Sequence, residues 1–288
     1  LSFCRVASML YGFSLYAVVT DILFYLVFEK SVTVFVDGKK ETYLPPLPQK
    51  IIANPKDLSL LKRNKLADGF SAVAAYSALP VKTEREKSLL SEASECALSA
   101  SKNVFPNLFK ANLCLAVAAS GSETLTSSDL FFSSVILSAI TGSTEQECAF
   151  FCAPYLVGLY KTIAESDVSR FSFYPEYLTL IESLAEVFGV RGGALYEDFS
   201  PFDYSEAQSF FSSLAESYDE AEANSTLEKY KKFKAVYSFV YAGRKKRAVA
   251  TKQDIAKSLS LAGYYSQGFL KALFSSGATE LLFLAAKK

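Results

Sequence analysis

Histidine is absent from all 288 residues. That removes the usual general base near neutral pH and the commonest metal ligand. It also excludes Ser-His-Asp and Cys-His catalysis within one chain. Tryptophan is absent and methionine occurs once, so aromatic anchors come from 24 Phe and 17 Tyr. No internal repeat, no low-complexity tract, no Walker loop and no Gly-x-Gly-x-x-Gly following a strand is found. Chemistry through Lys, Tyr or carboxylates stays open. The expectation these absences set is nonetheless a protein that is not an enzyme, with no catalytic residues, no cofactor and no metal.

Cysteine is scarce and ill-arranged. Cys4, Cys96, Cys114, Cys148 and Cys152 are odd in number, match no disulfide framework and include no CxxC pair. Buried free thiols in a reducing, intracellular compartment are expected. A covalently attached pigment on one of them is the minority alternative. Under that expectation the Asn224-Ser225-Thr226 sequon is idle. Ser59-Leu60-Leu61-Lys62 and Ser99-Ala100-Ser101-Lys102 match Ser-x-x-Lys by chance, without a Ser-Asp-Asn element.

What the chain does have is apolar residues, half of the total, and only 21% charged ones. That suffices for a sizeable core, in one large domain or two. The chain begins at Leu1 rather than Met, so a processed, trimmed or partial chain is expected. Residues 6–28 carry one charge, Asp21, and are long enough to span a bilayer. Inserting Asp21 would cost ~2.5–3.5 kcal/mol, which favours a buried helix followed by a core strand at Ile22 to Phe28. Membrane association through 6–28 is the rival.

Ser31 to Leu44 reads as a β-hairpin turning at Asp37-Gly38, and Pro45-Pro46-Leu47-Pro48 as a linker. Residues 1–48 thus form an apolar arm with a hairpin, able to pack on its own body or on a neighbour. Beyond Pro55 the period is helical and the fold class is mainly α. Asn107 to Ala119, apolar nearly all round, predicts a central buried helix. Thr126 to Asp129 supplies caps for the next helix; Gly142 to Thr144 ends that one and starts another, with a Thr144–Glu147 capping box. Tyr177 to Phe188 places Leu178, Ile181, Leu184 and Phe188 on one side, and Gly189 closes it. A helical domain at 49–193 and a C-terminal subdomain at 194–288 follow.

In that last third the charges sort by sign. Glu197 to Glu228 holds nine acids and no base; Lys229 to Lys252 holds nine bases and no acid. The zero net charge hides this. Helix faces at Ala207, Phe210, Phe211, Leu214 and Tyr218, then at Tyr230, Phe233, Val236, Tyr237 and Val240, carry the blocks. The expected partner- or phosphate-binding residues are Lys229, Lys231, Lys232, Lys234, Arg244, Lys245, Lys246 and Arg247, interleaved with aromatics that suit single-stranded nucleic acid or an acidic neighbour. Thr251 to Leu259 resembles the first helix of a bacterial-repressor helix-turn-helix, with Gly263 at the turn and 266–274 as the second helix.

The function expected from the sequence alone is a non-catalytic structural subunit, self-associating within a large assembly. A nucleic-acid-binding capsid or nucleocapsid protein is the alternative, and a pigment-carrying antenna linker a further one.

Overall fold

The computed structural model describes residues 2–28, 31–36, 39–79, 83–121, 128–166, 177–190, 195, 199–217, 220–240 and 250–276. They are mainly α, with two small sheets. The chain divides into two compact units, one built from 1–35, 40–126 and 231–245, the other from 36–39, 127–230 and 246–288.

In the first unit, helix α1 (Ser2–Tyr11) leads to strand β1 (Tyr16–Val19) and a helical turn α2 (Tyr25–Phe28). The apolar run 6–28 is therefore cut into three pieces. Gly12, at φ +70°, stops α1, a conformation only glycine takes without strain. Asp21 Oδ1 takes the Ile22 N–H at 2.7 Å, and its other oxygen pairs with Lys65 at 3.0 Å. No helix among the described residues is long and apolar enough to cross a membrane. The strand expected at Ile22 to Phe28 is replaced by α2. Its Ile22, Phe24, Tyr25 and Val27 are buried, with the Phe24 ring edge-on to Phe109 at 5.2 Å.

The hairpin is present as β2 (Val32–Val36) paired with β3 (Lys39–Tyr43), with Thr33 and Thr42 hydroxyls 3.3 Å apart across it; its Asp37-Gly38 turn lies outside the described residues. The proline cluster is packed rather than free. The buried Arg5 guanidinium donates to the Pro45 carbonyl at 3.1 Å. Strand β4 (Lys50–Ala53) then runs parallel to β1 in the register Tyr16–Lys50, Val18–Ile52. The N-terminal arm thus packs on its own body.

After the short α3 (Pro55–Leu58), helices α4 (Arg63–Tyr76), α5 (Glu84–Leu98), a 3-10 turn (Ser99–Ser101) and α6 (Val104–Gly121) complete the unit. Thr83 and Glu86 cap α5 reciprocally. Pro106 sits in the first turn of α6, where its missing N–H costs no helical bond, so the helix begins before it. Although α6 is apolar nearly all round, Leu113 and Val117 are exposed, so it is not the fully enclosed helix expected.

In the second unit, α7 (Ser128–Thr141) ends at Gly142 (φ +68°), and α8 (Glu145–Ala164) starts under Thr144, which accepts from the Glu147 N–H. Helix α9 (Tyr177–Phe188) buries Ile181 and Leu184 but leaves Leu178 exposed. Asp203 and Glu206 cap α10 (Tyr204–Ser217) at 2.8 and 2.9 Å; Ala207 and Phe211 face inward while Phe210 is exposed. Helix α11 (Glu220–Val240) contributes residues up to Tyr230 here and Lys231 onward to the first unit. Tyr230 stacks on Phe150 and donates to its carbonyl at 3.0 Å.

Helix α12 (Lys252–Ala262) opens on the Thr251–Asp254 capping box, and α13 (Phe269–Ser276) follows it. Every residue of α13 is buried. This corrects the helix-turn-helix resemblance, since a recognition helix must present side chains to a groove. Gly263 is what lets the two helices approach. A Cβ there would stand 2.5 Å from the Leu270 carbonyl oxygen and closer still to Phe274 Cβ.

Candidate functional site

The polar centre of the second unit is built on Asp129, a single carboxylate in the apolar α7 and almost fully buried. It sits at the N-terminus of α13. Its Oδ1 accepts from the Leu270 N–H at 3.1 Å and from the Ser266 hydroxyl. Its Oδ2 accepts from the Phe269 N–H at 3.1 Å and the Tyr160 hydroxyl at 3.2 Å. Gly268 lets the turn press against it: a Cβ there would lie 3.0 Å from Oδ2. Burial pushes the Asp129 carboxyl above its usual range, and the donors from Ser266, Leu270, Tyr160 and Phe269 pull it back. Four donors fill the roughly four lone-pair positions of a carboxylate. Asp129 is therefore an anchor that ties α7, α8 and α13 together, with no acceptor position left for a substrate. The caps expected from Thr126 to Asp129 for the helix they open resolve differently. Ser128 begins α7, Thr126 and Ser127 lie outside the described residues, and Asp129 caps a distant helix.

Two residues further along α13 is Lys271, 8% exposed. Its Nζ stands 4.5 Å from the centre of the Phe202 ring and 3.5 Å from Gln267 Oε1, and it has no ion pair among the described residues. Burial lowers its pKa, opposed by the Glu206 carboxylate of α10. Lys65 and Lys110 are the opposite case, their pKa values raised by the partners Asp21 and Glu92. Gln267 is exposed, so the Nζ end of Lys271 lies near the surface. An ammonium short of anionic partners is a ready donor to a substrate oxygen.

The thiols of α8 are inert by environment. Cys148 Sγ lies 3.8 Å from Thr141 Oγ1 and Cys152 Sγ 3.7 Å from Ser258 Oγ. Burial pushes Cys148 up to about 12 and Cys152 higher still. Both stay protonated and non-nucleophilic at neutral pH. No three His, Cys, Asp or Glu among the described residues converge to hold a metal.

The residues singled out by the charge pattern lie elsewhere. Lys229 is half-buried on α11, and Lys231, Lys232 and Lys234 are exposed along it. Arg244, Lys245, Lys246 and Arg247 lie outside the described residues. The acidic block is partly engaged at home: Glu220 Oε1 is 3.5 Å from Lys161 Nζ, which also reaches Asn224 at 2.9 Å. Lys231, Lys232 and Lys234 belong to the first unit, Asp129 and Lys271 to the second. Sequence reasoning missed that centre. Its signal was a lone charge in each of two apolar helices, Asp129 in SDLFFSSVIL and Lys271 in FLKALFSS.

No protein-family model matches the chain. No curated protein matches its sequence. Solved structures do share its fold. An alcohol dehydrogenase from Oenococcus oeni matches with a TM-score of 0.54 at 13% identity, over 94% of this chain and 66% of that one. An NADH-dependent butanol dehydrogenase A from Thermotoga maritima matches with a TM-score of 0.54 at 14% identity, over the same shares. A 1,3-propanediol oxidoreductase matches with a TM-score of 0.51 at 10% identity, over 94% and 66%. The chain thus spans just under two thirds of the length of the structures it resembles.

The fold is one used by dehydrogenases, and this corrects the expectation of a non-catalytic structural subunit. The same finding overturns the capsid, nucleic-acid-binding and antenna-linker alternatives, and the inference from missing histidine to a protein that is not an enzyme. That inference failed because a histidine-free chain keeps Lys, Tyr and carboxylates as proton carriers and oxygen ligands.

Proposed function

We propose that this chain is an oxidoreductase acting on small alcohols and the carbonyl compounds they form on oxidation, with Lys271 holding the substrate oxygen. The fold supports the reading. Across 94% of the chain it follows proteins described as an alcohol dehydrogenase, a butanol dehydrogenase and a propanediol oxidoreductase. Lys271 is chosen because its Nζ, paired with one long acceptor and one ring face, keeps donor capacity for an alkoxide or carbonyl oxygen.

The NADH of the butanol dehydrogenase does not find a matching cradle at the described strand-to-helix junctions. A pyrophosphate needs free N–H groups at a glycine-rich turn into a helix. After β4 the N-cap Asn54 side chain already takes the Lys56 N–H, and Pro55 has none to offer. After β1 the Ile22 N–H is taken by the Asp21 carboxylate, whose charge repels phosphate.

The test is turnover by the purified chain. Short aldehydes would be offered with NADH or NADPH, and short alcohols with an artificial electron acceptor. Turnover with at least one pair is expected. Lys271→Met should lower kcat/KM by about 10²-fold or more while Lys271→Arg keeps part of it, as loss of one donor to a developing oxyanion does. Absence of turnover with every donor and acceptor would overturn the oxidoreductase reading. Unchanged kcat/KM in Lys271→Met would overturn the role of that residue alone.

A further inference from the structure

A lysine ammonium has no lone pair with which to attack, so an ordinary lysine is a poor nucleophile at neutral pH. It becomes one where water and anions are kept from its nitrogen. Lys271 meets both conditions. Among the described residues its Nζ has no ion pair, and its one acceptor is Gln267 Oε1 at 3.5 Å. The carboxylate that acts on it, Glu206, takes the Asp203 N–H at 2.9 Å as part of the cap of α10. Burial accordingly pulls the Lys271 pKa down. Lys65 and Lys110 are the contrast, paired with carboxylates at 3.0 and 2.8 Å and held as ammonium ions. The surroundings of Lys271 also supply an approach. Nζ lies 4.5 Å from the centre of the Phe202 ring, which stacks on Phe210 at 5.5 Å, and Phe210 is 40% exposed. A run of apolar ring surface thus leads from solvent to the amine.

We propose that Lys271 is a covalent site for small aldehydes with apolar tails, its Nζ condensing with the carbonyl carbon to a reversible imine. The tail lies along Phe210 and Phe202 and brings the carbonyl to the nitrogen. The Nζ lone pair then adds to the carbonyl carbon while the π bond moves to oxygen. The proton shed by nitrogen passes through solvent to that oxygen, giving a carbinolamine. A second proton transfer releases the oxygen as water and leaves a C=N bond to Nζ. No electron changes hands, so no oxidant or reductant is needed, and water reverses the step. The choice of aldehydes rests on the oxidoreductase reading, which makes them its substrate or product; the amine chemistry does not. If both hold, an aldehyde that accumulates blocks the residue that binds the substrate oxygen, and the adduct restrains the enzyme.

The purified full chain would be incubated near neutral pH with hexanal and sodium cyanoborohydride, which reduces an imine to a stable secondary amine. Digestion and mass mapping then locate the hexyl group. After short exposure the yield on Lys271 should exceed that on Lys65 or Lys110 by at least ~10-fold, as its larger neutral-amine fraction dictates. Phe210→Ser, at an exposed position, should cut the Lys271 yield several-fold and leave that on Lys65 unchanged. No adduct on Lys271, or one no more abundant than on Lys65 and Lys110, overturns the proposal. An unchanged yield in Phe210→Ser overturns the aromatic approach. An adduct without turnover of any alcohol or aldehyde upholds the covalent site and counts against the oxidoreductase reading alone; turnover without the adduct does the reverse.

Discussion

Replacing Asp129 with alanine should unfasten the second unit at one point. In the native chain the carboxylate receives the Phe269 and Leu270 N–H groups, both at 3.1 Å, and the Tyr160 and Ser266 hydroxyls. The hydroxyls can rotate toward other acceptors. The two N–H groups open α13 inside the core and cannot. Each orphaned buried donor costs ~1–3 kcal/mol. Relief from no longer desolvating a carboxylate offsets part of that. A net loss of about 3 kcal/mol is expected, a large share of the ~5–15 kcal/mol of an ordinary domain. Asp129→Asn keeps the shape and one carbonyl oxygen but turns an NH₂ toward one of the N–H groups, so about 1–2 kcal/mol is expected there. Urea unfolding followed by far-ultraviolet circular dichroism measures both, and hydrogen exchange should rise first along α13. The comparison also has a pH dependence. Burial raises the Asp129 pKa in the fold above its unfolded value. The stability linked to that proton is full below the unfolded pKa and is lost as pH rises through the folded one. The gap between wild type and Asp129→Asn should therefore be wider in acid than at neutral pH. A loss under about 1 kcal/mol for Asp129→Ala, or a gap that widens toward neutral pH, refutes the anchoring role.

Gly263→Ala should cost about 3 kcal/mol, because the new Cβ meets the fixed Leu270 carbonyl and Phe274 Cβ, whereas Gly142→Ala, with open space but φ +68°, should cost only about 1 kcal/mol; thermal unfolding separates the two. Lys271→Met should raise Tm at neutral pH: the folded lysine pKa is lowered, so stability is withheld below it and returns as pH climbs toward the unfolded value, where the advantage of methionine should fade. Timed alkylation at neutral pH with mass mapping should label exposed Cys4 and spare Cys148 and Cys152; rapid labelling of Cys152 in the native state would contradict its burial.

Local signals in the sequence translated well into structure. The turn at Gly142 into Thr144, the stop at Gly189 and the Thr251–Asp254 start each depend on neighbours within a few residues, and each stands where its chemistry placed it. The face of α11 carrying Tyr230, Phe233 and Val240 followed from helical period alone. What was hidden depends on distant partners. Ile22 to Phe28 has strand-like residues, yet packing on α6 makes it a helical turn; β1 finds its mate across the whole hairpin, which no local pattern encodes. Asp129 reads as an ordinary cap for its own helix because the helix it serves lies almost half the chain away. The charge blocks drew attention to α11 because charge is visible in a sequence, while a single buried lysine among apolar neighbours is not. The shared dehydrogenase fold survives at 10–14% identity, where packing is kept and residue identities are not.

The first compact unit includes residues 231–245 as well as the N-terminal portion of the chain. Inside it, the fully buried Phe70 meets Phe233 edge-on at 5.9 Å. During synthesis the ribosome therefore finishes Phe70 long before its partner exists. At ~5–20 residues per second the wait is roughly 10–30 s, far longer than helix formation or collapse. Over that interval α4 displays an unfinished apolar surface to solvent or to chaperones, and any product truncated ahead of α11 displays it permanently. Vectorial folding, with the N-terminal part completed first, is closed to this unit, and its assembly must wait until α11 is made.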